Sequence, residues 1–185
     1  MGTMIQSTND VVSFLKGQHQ QVKRLFEKVL SAAGKDREEA FYTLRRMLAV
    51  HETAEEEIVH PAARRALVNG DAVVSARLLE ENEAKRALSE LEKLDANSPE
   101  FEAKFRKLQS DVIAHAESEE KQEFAVLKDA LEPARLERMR RAAEFAESVA
   151  PTRPHAGVES ATANLLAGPF ASMLDRTRDA LSGKA

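Results

Sequence analysis

The chain carries four long stretches with helical periodicity. In each, the apolar stripe is interrupted near its middle by histidine or glutamate. The stretch 10–33 reads Val12, Leu15, His19, Val22, Phe26, Val29. The stretch 36–60 reads Phe41, Leu44, Leu48, His51, Glu55, Ile58, and 98–131 reads Phe101, Phe105, Leu108, Val112, His115, Glu119, Gln122, Val126. Alternating steps of three and four mark one face of an α-helix. The stretch 71–94 is less regular but offers Val74, Leu78, Glu81, Lys85 and Leu88. No alternating strand pattern competes. Short connections make antiparallel neighbours, so the expected fold is all-α: an up-down-up-down four-helix bundle.

Glycine and proline punctuate these stretches. Gly34 is placed to cap the first helix, and Pro61 is expected to break or kink the second, with a short piece running on to Asn69-Gly70. Ser98-Pro99 reads as an N-cap followed by a proline in the first turn. Pro133 opens a shorter helix to about residue 149. A linker over 150–157 and an amphipathic helix over 164–181 complete the chain. The expected division is a bundle over 10–131 and a helical extension over 132–185, packed on or near it. An internal repeat at an offset of 64 residues pairs His51-x3-Glu55-Glu56 with His115-x3-Glu119-Glu120, and Ala66-Leu67 with Ala130-Leu131. The second and fourth helices are therefore equivalent members of two hairpins.

Residues four apart on a helix are offset by about 40° and one turn. His51 with Glu55, and His115 with Glu119, each present an imidazole and a carboxylate on one face. His19 joins them from the first helix and Glu81 from the third. A single histidine on an apolar face is ordinarily a core residue with a hydrogen-bond partner. Three histidines and three glutamates sharing the seams are different, because burying several carboxylates without cations costs several kcal/mol each and no seam arginine pairs them. Bundles build carboxylate-bridged two-metal sites in this way. Imidazole and carboxylate without thiolate suit iron or manganese, with zinc also accommodated. Glu56, Glu57 and Glu120 lie about 100° or more around their helices and are expected to be solvated.

The chain has no cysteine, which removes disulfides, thiolate ligands and cysteine nucleophiles and makes the cytoplasm the expected compartment. A net charge of −4 argues against a nucleic-acid or anionic-membrane partner. No segment has the roughly 18 uninterrupted apolar residues of a membrane span, and residues 1–10 lack a signal-peptide core.

His19, His51-x3-Glu55, an acidic third helix and His115-x3-Glu119 resemble the hemerythrin-like (HHE cation-binding) proteins over residues 10–150, and 150–155 is similar to the segment that often follows that domain. The resemblance implies a non-heme centre of two iron ions with oxo and carboxylate bridges. His19, His51 and His115 would be terminal ligands; Glu55 and Glu119 would bridge. The chain departs from the oxygen-carrying pattern at Glu81, four residues before Lys85, where the family usually has histidine. Asn82 beside it would be only a weak ligand. His60 stands where the family commonly has an aromatic residue. In a straight helix it faces away from His51 by about 180°, but a bulge or kink at Pro61 would turn it inward as a further metal ligand. His155 is unrelated to the metal. This set is most similar to the carboxylate-richer hemerythrin-like proteins of actinobacteria. The resemblance implies a protein that reacts with hydrogen peroxide in a catalase-like way, or with nitric oxide, under oxidative or nitrosative stress. The alternative is reversible oxygen binding, or oxygen or iron sensing with a protein partner.

Overall fold

The computed structural model describes residues 9–150. Val11–Ser31 forms α1 and Gly34–Ala54 forms α2. A π-helical turn over Glu55–Val59 runs straight into α3, His60–Ala66. Then come α4 (Gly70–Leu91) and α5 (Pro99–Glu119). A second π turn, Glu120–Phe124, runs into α6 (Ala125–Ala130), and α7 spans Pro133–Val149. The described residues contain no strand. None of the described helices is long and apolar enough to cross a membrane.

Side chains fix several helix starts. The Asp10 carboxylate accepts the Ser13 N–H at 2.7 Å, and the Ser98 hydroxyl accepts the Phe101 N–H at 3.1 Å with Pro99 in the first turn. Gly34 does not cap α1, which ends in extended backbone at Ala32 and Ala33. Gly34 has φ +59° and opens α2 instead, its N–H donating to Asn97 Oδ1 at 2.7 Å. Gly70 lets α4 start against α3: a Cβ there would lie 2.2 Å from the Arg64 carbonyl oxygen.

Two apolar clusters close the ends of the bundle. One gathers Val22, Phe26, Leu44, Leu48, Leu88, Phe101, Phe105 and Leu108; the other gathers Val12, Leu15, Val59, Phe124 and Leu127 with Leu136, Met139 and Ala143 of α7. α1 runs from the second cluster to the first, and α2 with its π turn runs back. α5 leaves the first and reaches the second through the other π turn. His19, His51 and His115 fall between the two clusters along their own rods, and Glu81 precedes Ala84, Leu88 and Leu91, the buried residues that α4 gives to the first cluster.

The π turns correct the expected register. A π turn bonds i to i+5 and inserts one extra residue. Past Glu55 the buried residue is Val59 rather than Ile58. Past Glu119 the buried residues are Glu123, Phe124 and Leu127, while Gln122 is exposed and Val126 only half-buried. Pro61 does not interrupt the second rod. It follows the wide turn, in which the His60 N–H bonds back to the Glu55 carbonyl, and starts α3 in a first-turn position that a proline tolerates. α7 is part of the second cluster. The expected linker beyond residue 150 and the expected helix over 164–181 lie outside the described residues.

Candidate metal centre

Four helices deliver six side chains to the layer between the clusters. His19, His51, Glu55 and Glu119 present ligand atoms all within 4.8 Å of one another, and so do Glu55, Glu81, His115 and Glu119. The two groups share Glu55 and Glu119, the two carboxylates of the internal repeat. Glu55 and Glu119 are fully buried, and His19, His51 and Glu81 nearly so.

The unpaired atoms of this layer fit a pair of cations. His19 Nε2, His115 Nε2, both oxygens of Glu55, both oxygens of Glu119 and Glu81 Oε2 are buried with no hydrogen-bond partner. Such groups cost about 1–3 kcal/mol each, more when charged, unless something else satisfies them. His51 Nε2 lies 3.3 Å from Glu55 Oε1, and His115 Nε2 lies 3.4 Å from Glu119 Oε2. His19 Nε2 is 3.6 Å from Glu55 and 3.5 Å from Glu119. Two ligand atoms each about 2.1 Å from a shared ion lie roughly 3.0–3.5 Å apart at ordinary coordination angles, which is this spacing.

Each of the three histidines is held from behind. His19 Nδ1 is 2.9 Å from Glu120 Oε1, and Lys16 steadies Glu120 from its other oxygen at 3.1 Å. His51 Nδ1 is 2.7 Å from Gln18 Oε1, whose amide donates to Glu147 Oε1 of α7 at 2.7 Å. His115 Nδ1 is 2.8 Å from Glu80 Oε2, and Arg77 donates to Glu80 Oε1 at 2.8 Å. With oxygen acceptors behind every ring, Nδ1 carries the proton and Nε2 faces the cluster. Such outer partners orient metal-binding imidazoles and raise their basicity.

The electrostatics show protons standing where cations would sit. Burial disfavours charge on His19, but Glu119 and Glu55 outweigh it and raise the ring to about 10. Burial likewise opposes charge on His115, and Glu119, Glu80 and Glu81 overcome it to lift the ring well above its ordinary value. Burial, reinforced by the charge on His19, pushes His51 down to about 3. Burial and the neighbouring Glu119 raise Glu55 to about 8. A cation must displace the protons of His19, His115 and Glu55, whereas His51 is already neutral. Metal loading near pH 7 is therefore expected to release protons. Apparent affinity should fall as pH falls and rise towards pH 10, where the competing proton on His19 is lost. Metal titration in weakly buffered dye solution checks this, and loading with no proton release would place the cation elsewhere.

His60 is buried but stands apart from both groups. Its Nε2 is 2.7 Å from Glu81 Oε1 and its Nδ1 is 3.0 Å from Glu123 Oε2. It forms a third grouping with Glu119 and Glu123. Asn82, beside Glu81, is buried with an unpartnered Oδ1. Glu56 is not solvated: it is buried and paired with Lys85, which also lies 3.7 Å from Glu52. Glu57 is half-buried, and Glu120 is the clamp on His19. Gln18, Glu80 and Glu123 carry no role legible in the sequence, which places Glu120 in solvent. Gln18, Glu80 and Glu120 have one signal in common: each is the chain neighbour of a seam residue, about 100° around the helix, where the adjacent helix packs.

Residues 10–127 match the family described as Hemerythrin HHE cation binding domain. A curated relative named DNA nickase, from Nostoc sp., is 27% identical over 123 residues, or 66% of this chain. The chain spans only 34% of that relative's length. A crystal structure of a hemerythrin HHE cation binding domain-containing protein, the Rv2633c homolog from Mycobacterium kansasii, superposes with a TM-score of 0.66. At 21% identity over 75% of this chain and 85% of that one, this likeness carries the fold alone.

Proposed function

Because this chain belongs to the hemerythrin HHE cation-binding family, we propose that its buried cluster holds two iron ions and decomposes hydrogen peroxide, with nitric oxide as a second small reactant. His19 and His51 would hold one ion, His115 and Glu81 the other, and Glu55 and Glu119 would hold both. The observation that carries this reading is the donor balance: three carboxylates and three imidazoles meet in one buried layer. Bound there, iron supplies one-electron chemistry at a polarising centre. Anionic oxygen ligands favour the ferric state, so this donor set works against a long-lived ferrous carrier of oxygen. The clamps on Nδ1 keep each Nε2 aimed inward. Val22, Leu48, Val112 and Ala116 give the adjoining cavity an apolar wall, and its volume of about 30 Å³ accommodates one or two water-sized molecules. Small uncharged reactants enter such a space and large anions do not.

Reversible oxygen binding or sensing is the rival reading. Its support is the connection of His51 through Gln18 to Glu147, which ties the centre to α7. Iron analysis with absorption spectra before and after peroxide separates the two. We expect two irons per chain, a diferric protein after aerobic purification, and peroxide consumption faster than with free iron. A firm value of one iron sinks the shared-carboxylate arrangement. Reversible oxygen binding by the reduced protein, with peroxide left untouched by the oxidised one, transfers the assignment to the rival.

A further inference from the structure

We infer that His60 and Glu123 form an anchor that presents Glu81 to the ion pair through a single oxygen, and that neither of them is itself a ligand. The inference rests on the proposed role of Glu81 as a ligand. It starts from the two π turns, which follow Glu55 and Glu119 directly. In an unbroken α-helix His60 would lie about 180° from His51. The extra residue of the first π turn brings it to the place that a residue four after Glu55 would otherwise take, on the same face as Glu55. The second π turn holds Glu123 fully buried on the opposing rod.

Every donor position of the His60 ring is then occupied. Nε2 meets Glu81 Oε1 at 2.7 Å and Nδ1 meets Glu123 Oε2 at 3.0 Å. Both ring nitrogens thus lie against a carboxylate oxygen, and neither is left open towards a cation. Glu81, in turn, has one oxygen engaged and the other, Oε2, buried without a partner. Glu81 also belongs to the group formed with Glu55, His115 and Glu119. The arrangement fixes a carboxylate much as Glu120, Gln18 and Glu80 fix the three imidazoles: the bond from His60 holds Glu81 in one orientation beside His115, whose Nε2 lies 4.0 Å from Glu81 Oε1. A free carboxylate can chelate through both oxygens. An anchored one offers a single oxygen, as an imidazole does, so His60 lets glutamate occupy a position suited to a one-point ligand.

The test compares His60→Phe, His60→Gln and Glu123→Gln in the full chain and again in a Glu81→Ala background, with iron content, absorption spectrum and carboxylate infrared bands as readouts. His60→Phe should keep two irons at saturating metal but alter the spectrum and the carboxylate bands. Apparent iron affinity should fall about 10–100-fold, as for other outer partners of metal ligands. His60→Gln, which keeps one donor, should recover part of the wild-type spectrum. In the Glu81→Ala background all three substitutions should change nothing further. If His60→Phe fails to fold, His60→Gln and Glu123→Gln carry the comparison. Iron lost from a His60 variant at saturating metal, or a further loss in the Glu81→Ala background, overturns the anchor. That result would make His60 a ligand of the pair, or of a third cation held with Glu119 and Glu123. A wild-type chain that never holds more than one iron refutes the two-ion reading instead, while the dependence of the His60 effect on Glu81 still decides the anchor.

Discussion

Glu119→Ala is expected to strip the protein of most of its iron and abolish peroxide consumption. Glu119 belongs to both groups of ligand atoms, and both its oxygens are buried without a hydrogen-bond partner. On the proposed two-ion reading, removing it takes a donor from each ion and one of the two carboxylates that would hold them together. The loss should exceed the roughly 10–100-fold fall in metal affinity typical of removing an outer partner. His115 and His19 hold the Glu119 carboxyl well below its usual range against the effect of burial, so the variant also leaves two rings without their counter-charge. Iron content by elemental analysis and the peroxide rate in the same samples check the expectation. A variant that keeps two irons and the wild-type rate would remove Glu119 from the centre. Glu55→Ala, at the repeat-related position, should behave alike.

Chelation should loosen the whole bundle. The layer between the two apolar clusters is crossed by all four rods, and its orphaned donors and acceptors have no solvent to turn to. A cation bound only by the folded state stabilises it by roughly 2.7 kcal/mol at a hundred times its dissociation constant. Two such ions, at about 2–4 °C per kcal/mol for a domain of this size, correspond to roughly 10–20 °C in melting temperature. Circular-dichroism melts of loaded and chelated protein, with metal content verified in both, measure the difference. Coincident curves would place any bound iron outside the core.

The helix order and the seam residues were legible because burial imposes a period of 3.6 on any helix that packs. His19, His51, Glu55, Glu81, His115 and Glu119 all sit on stripes whose remaining members, Lys85 and Gln122 apart, are apolar. What happens after Glu55 and Glu119 was not legible. A π turn leaves no composition signal, and each shifts the following residues by one, so Val59, Glu123 and Leu127 are buried where Ile58, Gln122 and Val126 were expected. The expected bulge that would bring His60 inward exists, but it lies before Pro61 rather than at it. The outer clamps were hidden for another reason. A residue 100° from the seam faces solvent on an isolated helix and faces a neighbour in a bundle, and only packing decides which. Glu120 and Glu56 were therefore read as solvated although one holds His19 and the other is buried against Lys85.

The hydrogen bond from Gln18 to Glu147 bears on where this protein can be divided. The family match ends at residue 127, yet Glu147 belongs to α7, and Leu136, Met139 and Ala143 of the same helix complete the apolar cluster beneath the polar layer. A chain cut at the family boundary would retain all six donors of the two groups. It would lose the carboxylate that holds the Gln18 amide, and with it the orientation of the acceptor behind His51. It would also uncover Val12, Leu15 and Phe124. The unit defined by descent is thus shorter than the unit defined by mechanics, and α7 is as much a wall of the centre as any helix that contributes a donor to it.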